Sequence, residues 1–455
     1  MNGQTSFSSA GRLSRRRLLR WAGAGLLGTS ASGWLSVLAD ELAGNPNRKR
    51  YCILLWMSGG PSQTDTFDMK PDHANGGDFK EIATNVPGLR ISEHLPKLAQ
   101  QGNQLAVIRS VSTTEGDHGR GTFLMRTGHR PGGPDQYPTI GSLLSKELGD
   151  EEAELPNYVS IAPVQAFNQT AQGPGFLGPK YAAATVSAIQ GDPSQAPAGP
   201  DQDDFARLGV DHLRLPAGVQ KGQADGRLAL WRSLQSEFLA NRSAGSSLAQ
   251  DTVYRRAIRT MRSEASVAFD LSHEADDVRR RYGRGRFGQG CLIARRLVER
   301  GVPFVEVTLG GFQGGISNWD THQNNFQVVK NLSAELDAGW AALMSDLRER
   351  GLLETTTILW MGEFGRTPTV NDNAGRDHFP NAWSCVLAGG GVNGGQAYGR
   401  TSPDGTTIQE GKVEVGDLLA TLCAALGVDP EKQNISDIGR PISIADGDPI
   451  TEMLA

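Results

Sequence analysis

The chain has 455 residues, is 38% hydrophobic and carries a formal charge of −5; residues 1–39 hold five arginines and no acid, so everything beyond them carries −10. That length supports one large α/β domain with insertions, or two domains sharing a cleft, and the acidic balance argues against nucleic acid as a partner. Cys52, Cys291, Cys385 and Cys423 are scattered through apolar runs with no CxxC pair, which reads as buried thiols and argues against thiolate zinc and paired-thiol redox chemistry.

In chain order, the first feature is a basic run, Ser14-Arg15-Arg16-Arg17-Leu18-Leu19, followed by an Ala/Gly/Leu-rich stretch to Ala39 and the small-residue pattern Val37-Leu38-Ala39. The run resembles a twin-arginine export signal, with cleavage expected before Asp40 and delivery to the periplasm or the extracellular space. Gly23, Gly25, Gly28 and Gly33 dilute the stretch below what a spanning helix of about 20 apolar residues needs, so no stable membrane span is expected after removal. Export in the folded state lets a protein load its cofactor first, which makes a bound metal a natural expectation.

Residues 51–57 form a continuous apolar run that ends at Ser58-Gly59-Gly60-Pro61, the pattern of a central strand meeting a functional loop. Further strands are expected at Gln104–Val111, Tyr158–Ala162, Val302–Leu309, Thr355–Met361 and Trp383–Ala388. Helical patterns cover Gly141–Leu148, Gly288–Arg300, Val329–Arg350 and Gly416–Leu426. The alternation implies a mainly parallel sheet with helices on both faces. It breaks between about Val164 and Arg286, where a Pro/Gly/Ala-rich loop, Gln190–Pro200, precedes charged helical segments from Gly226; this stretch reads as a cap-like insertion. The run from Gly389 to Gly395 opens no helix, and Gly59-Gly60 lacks the GK[ST] of a phosphate loop, so both read as tight turns.

Ligands of open α/β sheets bind beyond the carboxyl ends of the strands. The loops there hold Ser62, Thr64, Asp65 and Asp68; then His118 and Arg120; then Asp320 and His322; then Glu363 and Arg366; and finally Arg376, Asp377 and His378. Imidazoles and carboxylates brought to one rim suit a divalent cation, with Zn²⁺ or Mn²⁺ favoured over Ca²⁺ or Mg²⁺. Arg120, Arg366 and Arg376 are candidate clamps for an anionic group, and His118, Ser62 and Thr64 are alternative nucleophiles or bases.

Trp56-Met57-Ser58-Gly59-Gly60-Pro61-Ser62 with Asp65-Thr66-Phe67-Asp68, Trp319-Asp320-Thr321-His322, Gly362-Glu363-Phe364-Gly365-Arg366-Thr367-Pro368 and Gly375-Arg376-Asp377-His378 together resemble a large bacterial family, domain of unknown function 1501, within the alkaline phosphatase-like superfamily. The resemblance implies a three-layer alkaline phosphatase-like sandwich with one or two metals at its rim. It makes Asp320 and His322 an Asp-His pair of one metal site, Glu363 the counterpart of an aspartate ligand and His378 the later histidine ligand. Phe364 stands where a histidine is expected, and no aspartate follows the first strand directly, so that either Asp65 or Asp68 substitutes for it or the second site is degraded. Residues 118–128 match the length and the closing Thr-Gly of the sulfatase motif, with His118 in place of the cysteine that becomes formylglycine. Residues and resemblance together predict an exported, metal-dependent hydrolase of phosphate or sulfate esters acting on a small anionic ester or glycan. The alternative is a non-catalytic secreted binding or scaffold protein that keeps the fold.

Overall fold

The computed structural model describes residues 49–164, 167–189, 205–211, 213, 218–240, 245–311 and 318–455. The expected export signal and the Gln190–Pro200 loop lie outside the described residues. Nine strands form one sheet among those described: β1 (Tyr51–Met57), β2 (Leu105–Val111), β3 (Tyr158–Ile161), β4 (Ala184–Ala188), β5 (Leu208–Gly209), β6 (Phe304–Leu309), β7 (Thr356–Gly362), β8 (Trp383–Gly389) and β9 (Gln396–Tyr398), in the order β9-β2-β8-β7-β1-β6-β3-β4-β5. At the centre, Leu54 of β1 lies opposite Glu306 of β6 on one side and Leu359 of β7 on the other, both in parallel register. The sheet is parallel except at β8, which runs against both β7 and β2, and at the edge strand β5. β8 reverses because residues 363–382 return without a crossover helix, and a parallel connection needs one.

The main helices are α1 (His118–Thr127), α2 (Ile140–Leu148), α3 (Lys221–Ala240), α4 (Gly245–Arg262), α5 (Arg286–Glu299), α6 (Asn325–Glu349) and α7 (Val415–Ala425). Alternation along β1 separates two cores: Ile53, Leu55 and Met57 pack with α5 and α6, while Cys52, Leu54 and Trp56 pack with α1, α2 and α7. A strand buried on both faces must be apolar throughout, which is what residues 51–57 are. Residues 164–286 supply α3 and α4 and also the edge strands β4 and β5, which the sequence pattern did not disclose; β4 and β5 are only five and two residues long. All four cysteines are free and buried, and burial pushes the Cys423 thiol up to about 12. No helix among the described residues is long and apolar enough to cross a membrane.

Candidate metal centre

The carboxyl ends of β1, β6 and β7 meet at one rim, tied together by backbone. Ser58 N–H donates to Leu309 O at 3.1 Å and Trp319 N–H donates to Ser58 O at 2.9 Å. Gly59 has φ +109°, and a Cβ there would lie 2.4 Å from the Asp320 nitrogen, so only glycine lets the β1 turn pass under the Trp319-Asp320 backbone. Its N–H donates to Glu363 Oε1 at 2.8 Å. The later loop is seated as closely: Arg376 N–H donates to Thr321 O at 2.9 Å, and His378 pairs with Arg366 in a short antiparallel ladder. Beyond β2, Asp117 caps α1 by accepting from Arg120 N–H at 3.0 Å, which sets His118 as the first helical residue.

Three imidazoles converge on one carboxylate oxygen. His118 Nε2, His322 Nε2 and His378 Nε2 lie 3.2, 3.0 and 3.3 Å from Asp320 Oδ1, and the His322 and His378 Nε2 atoms are 3.0 Å apart. The other nitrogen of each ring faces an acceptor. His118 Nδ1 meets Glu363 Oε1, His322 Nδ1 meets Asp377 Oδ1 and His378 Nδ1 meets the Gly116 carbonyl, each at 2.7 Å. Carboxylates and carbonyls only accept, so each ring carries its proton on Nδ1 and, when neutral, presents a bare lone pair at Nε2. Lone pairs and a carboxylate oxygen crowded in this way repel unless positive charge sits among them. Among the described residues, His118 Nε2 is buried and close to Asp320 but makes no aligned hydrogen bond, and Glu363, fully buried, keeps Oε2 without a partner.

The donor set fits a cation. Ligand atoms of His118, Asp320 and His378 all lie within 4.8 Å of one another, and a tetrahedral site with bonds of about 2.0 Å has edges of about 3.3 Å, close to the separations above. Acceptors behind metal-ligating imidazoles are the usual supporting arrangement. Without a cation, protons take that place. Burial works against charge on His118, but the Asp320 and Glu363 carboxylates on either side outweigh it and hold its pKa at about 9. Burial would likewise raise the Asp320 carboxyl, yet His118, His378 and the Arg366 guanidinium keep it well below the usual carboxylate range.

Other candidate residues stand elsewhere or act indirectly. Glu363 and Asp377 were candidate ligands; they contact the backs of the His118 and His322 rings. Arg366 is fully buried and donates to Gly60 O at 3.0 Å and to Asp320 Oδ1 at 2.6 Å, as well as to Gly59 O, so it braces the turn and Asp320 from inside. Asp65 is fully buried in a two-pronged pair with Arg376, at 2.8 and 2.9 Å, and also accepts from Asn325 at 2.8 Å. Asp68 accepts from Lys70 at 2.9 Å and from Thr401 at 2.5 Å. Neither aspartate joins the imidazoles. Ser62 and Thr64 face each other at 3.1 Å inside a fully buried turn. Arg120 is turned outward and held by Glu115 at 2.6 and 2.8 Å, five residues back along the chain. Nothing in the sequence pattern singles out the Gly116 carbonyl, or Phe167, whose ring stacks on His118 with centroids 4.2 Å apart.

A family model described as "Protein of unknown function (DUF1501)" matches residues 49–454. No protein of curated function matches the sequence. Solved structures that the chain resembles include the PsFucS1 sulfatase from Pseudoalteromonas sp., 11% identical over 88% of this chain and 72% of that one, with a TM-score of 0.37. The lipoteichoic acid synthase LtaP from Listeria monocytogenes is 9% identical over 86% and 78%, with a TM-score of 0.39. A protein of the alkaline phosphatase superfamily from Vibrio parahaemolyticus is 10% identical over 88% and 76%, with a TM-score of 0.38.

Proposed function

We propose that this chain, which belongs to the DUF1501 family of proteins of unknown function, is an exported metal-dependent hydrolase of phosphate or sulfate esters. One observation carries the reading: three imidazoles, each anchored through Nδ1, turn their Nε2 atoms onto Asp320 Oδ1. His118, His378 and Asp320 would hold the cation, with the more exposed His322 as a fourth donor, and an imidazole-rich set favours Zn²⁺ or Mn²⁺. When bound, such a cation supplies Lewis-acid polarisation of an ester oxygen and a bound water of lowered pKa.

The chain's own residues do the rest. Glu363, Asp377 and the Gly116 carbonyl fix the ring orientations, and Arg366 balances Asp320 from the buried side. Both nitrogens of His118 are committed, and the hydroxyls of Ser62 and Thr64 are buried against each other, so water is the nucleophile this arrangement favours. Placement outside the cytoplasm rests on the twin-arginine pattern at 14–19.

Metal analysis of the purified protein, followed by assay against aryl phosphates, phosphodiesters and aryl sulfates, tests the reading. Turnover that EDTA or His378→Ala abolishes, with the fold intact by circular dichroism, supports it; bound metal without turnover on any of these esters sinks it. That second outcome is the signature of a secreted binding or scaffold protein, a reading favoured by the commitment of Arg120, Arg366 and Arg376 to protein acceptors, which leaves none of the three free to clamp an anion.

A further inference from the structure

Eight residues beyond His118 on the same helix, Arg126 is buried and donates through both terminal nitrogens to Glu306 of β6, at 2.9 and 2.7 Å. Tyr158 and Ser160 of β3 donate to the same carboxylate at 3.0 and 3.3 Å, and the guanidinium lies 4.4 Å over the Trp56 ring. Burying an ion pair costs desolvation that apolar packing avoids, so stability alone is a weak reason for its presence. Arg126 Nε–H is buried and has no hydrogen-bond partner among the described residues. Arg126, Tyr158 and Ser160, with Gln169, Gln172 and Thr185, wall a half-open cavity of about 190 Å³.

We infer that this cavity binds a neutral, hydroxyl-rich ring the size of one sugar residue. Its volume equals about six waters at about 30 Å³ each. The paired charges of Arg126 and Glu306 cancel, so the walls offer hydrogen bonds without selecting an anion. Unspent capacity remains in the Gln172 amide oxygen, since among the described residues the Gln172 amide nitrogen alone is engaged, with Val164 O at 2.8 Å; Arg126 Nε–H is too enclosed to add to it. Pro163, Ala182 and Ala183 supply apolar surface for the C–H face of a ring.

The cavity and the imidazoles share helix α1, with Arg126 at one end and His118 at the other. Eight residues of helix span about 12 Å, and one covering segment touches both ends. Phe167 stacks on His118, Asn168 donates to Gly119 O at 2.9 Å, and Gln169 and Gln172 reach the cavity. A glycan crossing over this segment from outside would present its charged ester at Asp320 and seat a neutral residue over Arg126. That direction rests on the hydrolase reading, whereas occupancy of the cavity is measurable without it.

Saturation-transfer NMR on the full chain, stripped of metal with EDTA, with methyl glucoside, galactoside, mannoside and fucoside as probes, tests the cavity alone. Transfer from at least one glycoside is expected, with affinity lowered at least tenfold in Ala183→Leu, which fills the space, and zinc uptake by that variant unchanged. Gln172→Leu gives the same comparison should Ala183→Leu fail to fold. No transfer from any glycoside, leaving water as the occupant, or equal transfer in both variants and wild type, overturns the inference. Because no metal is present, loss of ester hydrolysis for any other reason leaves this result unaffected.

Discussion

Glu363→Gln isolates the support behind the candidate metal centre. Glutamine keeps the volume, and its amide oxygen still accepts from Gly59 N–H, which Glu363 Oε1 now receives at 2.8 Å. The same oxygen position faces His118 Nδ1, 2.7 Å from Glu363 Oε1, so the ring keeps its tautomer and what is removed is the carboxylate charge behind it. A neutral acceptor makes His118 Nε2 a weaker donor to a cation, and the amide nitrogen falls where Glu363 Oε2 is buried without a partner among the described residues. Weakening such a supporting partner lowers metal affinity, by up to the roughly 10–100-fold that its loss costs, about 1.4 to 2.8 kcal/mol. Competition against a chromophoric zinc chelator near neutral pH measures the change, with circular dichroism as the control for folding. Affinity equal to wild type in a folded variant would refute the supporting role of the Glu363 carboxylate, and with it the assignment of His118 as a ligand.

Three further outcomes follow from the same geometry. His118 in the metal-free protein has its pKa raised to about 9 from about 6.5 in an unfolded chain, so its stabilising contribution is complete below about 6.5 and is lost as pH rises to about 9. Metal must displace that proton, so the melting-temperature gap between zinc-loaded and EDTA-treated protein should widen across this window; a constant gap contradicts the linkage. Asp65→Asn breaks a fully buried pair with Arg376 and should cost roughly 3–5 kcal/mol in denaturant unfolding while metal stoichiometry in the folded fraction stays at the wild-type value, whereas a metal ligand at Asp65 would lose it. Gly59→Ala places a Cβ 2.4 Å from the Asp320 nitrogen at φ +109°, and should lower both thermal stability and zinc affinity; wild-type values for both would show that the turn does not position Asp320.

The strands of the sheet centre were legible because burial on both faces demands unbroken apolar runs: 51–57 matched β1 residue for residue, and the expected strands ending at Leu309 and Met361 fell within one residue of β6 and β7 at their carboxyl ends. Those ends located Asp320, His322 and Glu363 at one rim. The edge strands β4 and β5 were illegible, being short and incompletely buried. Roles within the site were only half legible, because a motif gives residue types and not partners. Arg120 shares a loop with His118, yet a carboxylate five residues away claims its guanidinium. Glu363 and Asp377 carry the oxygen donors of a ligand, but ring nitrogens reach them first. No sequence signal marks the Gly116 carbonyl, since every residue has one.

The same competition for partners bears on the number of cations. A two-metal site needs a second set of uncommitted oxygens near the first, and the β1 loop was its expected source. There, both oxygens of Asp65 accept from Arg376, with Asn325 adding a third bond, and those of Asp68 accept from Lys70 and Thr401, with Arg109 3.9 Å away. A divalent ion at either aspartate would have to displace a guanidinium or an ammonium that already neutralises it, in the case of Asp65 from a fully buried position where the displaced charge has nowhere to go. At the imidazoles the balance is reversed: Arg366 offsets Asp320 from the inner side, the Nε2 lone pairs face outward together, and only protons stand between them. Positive charge is therefore already supplied at the β1 loop and still wanted at Asp320, which favours chemistry run from a single cation.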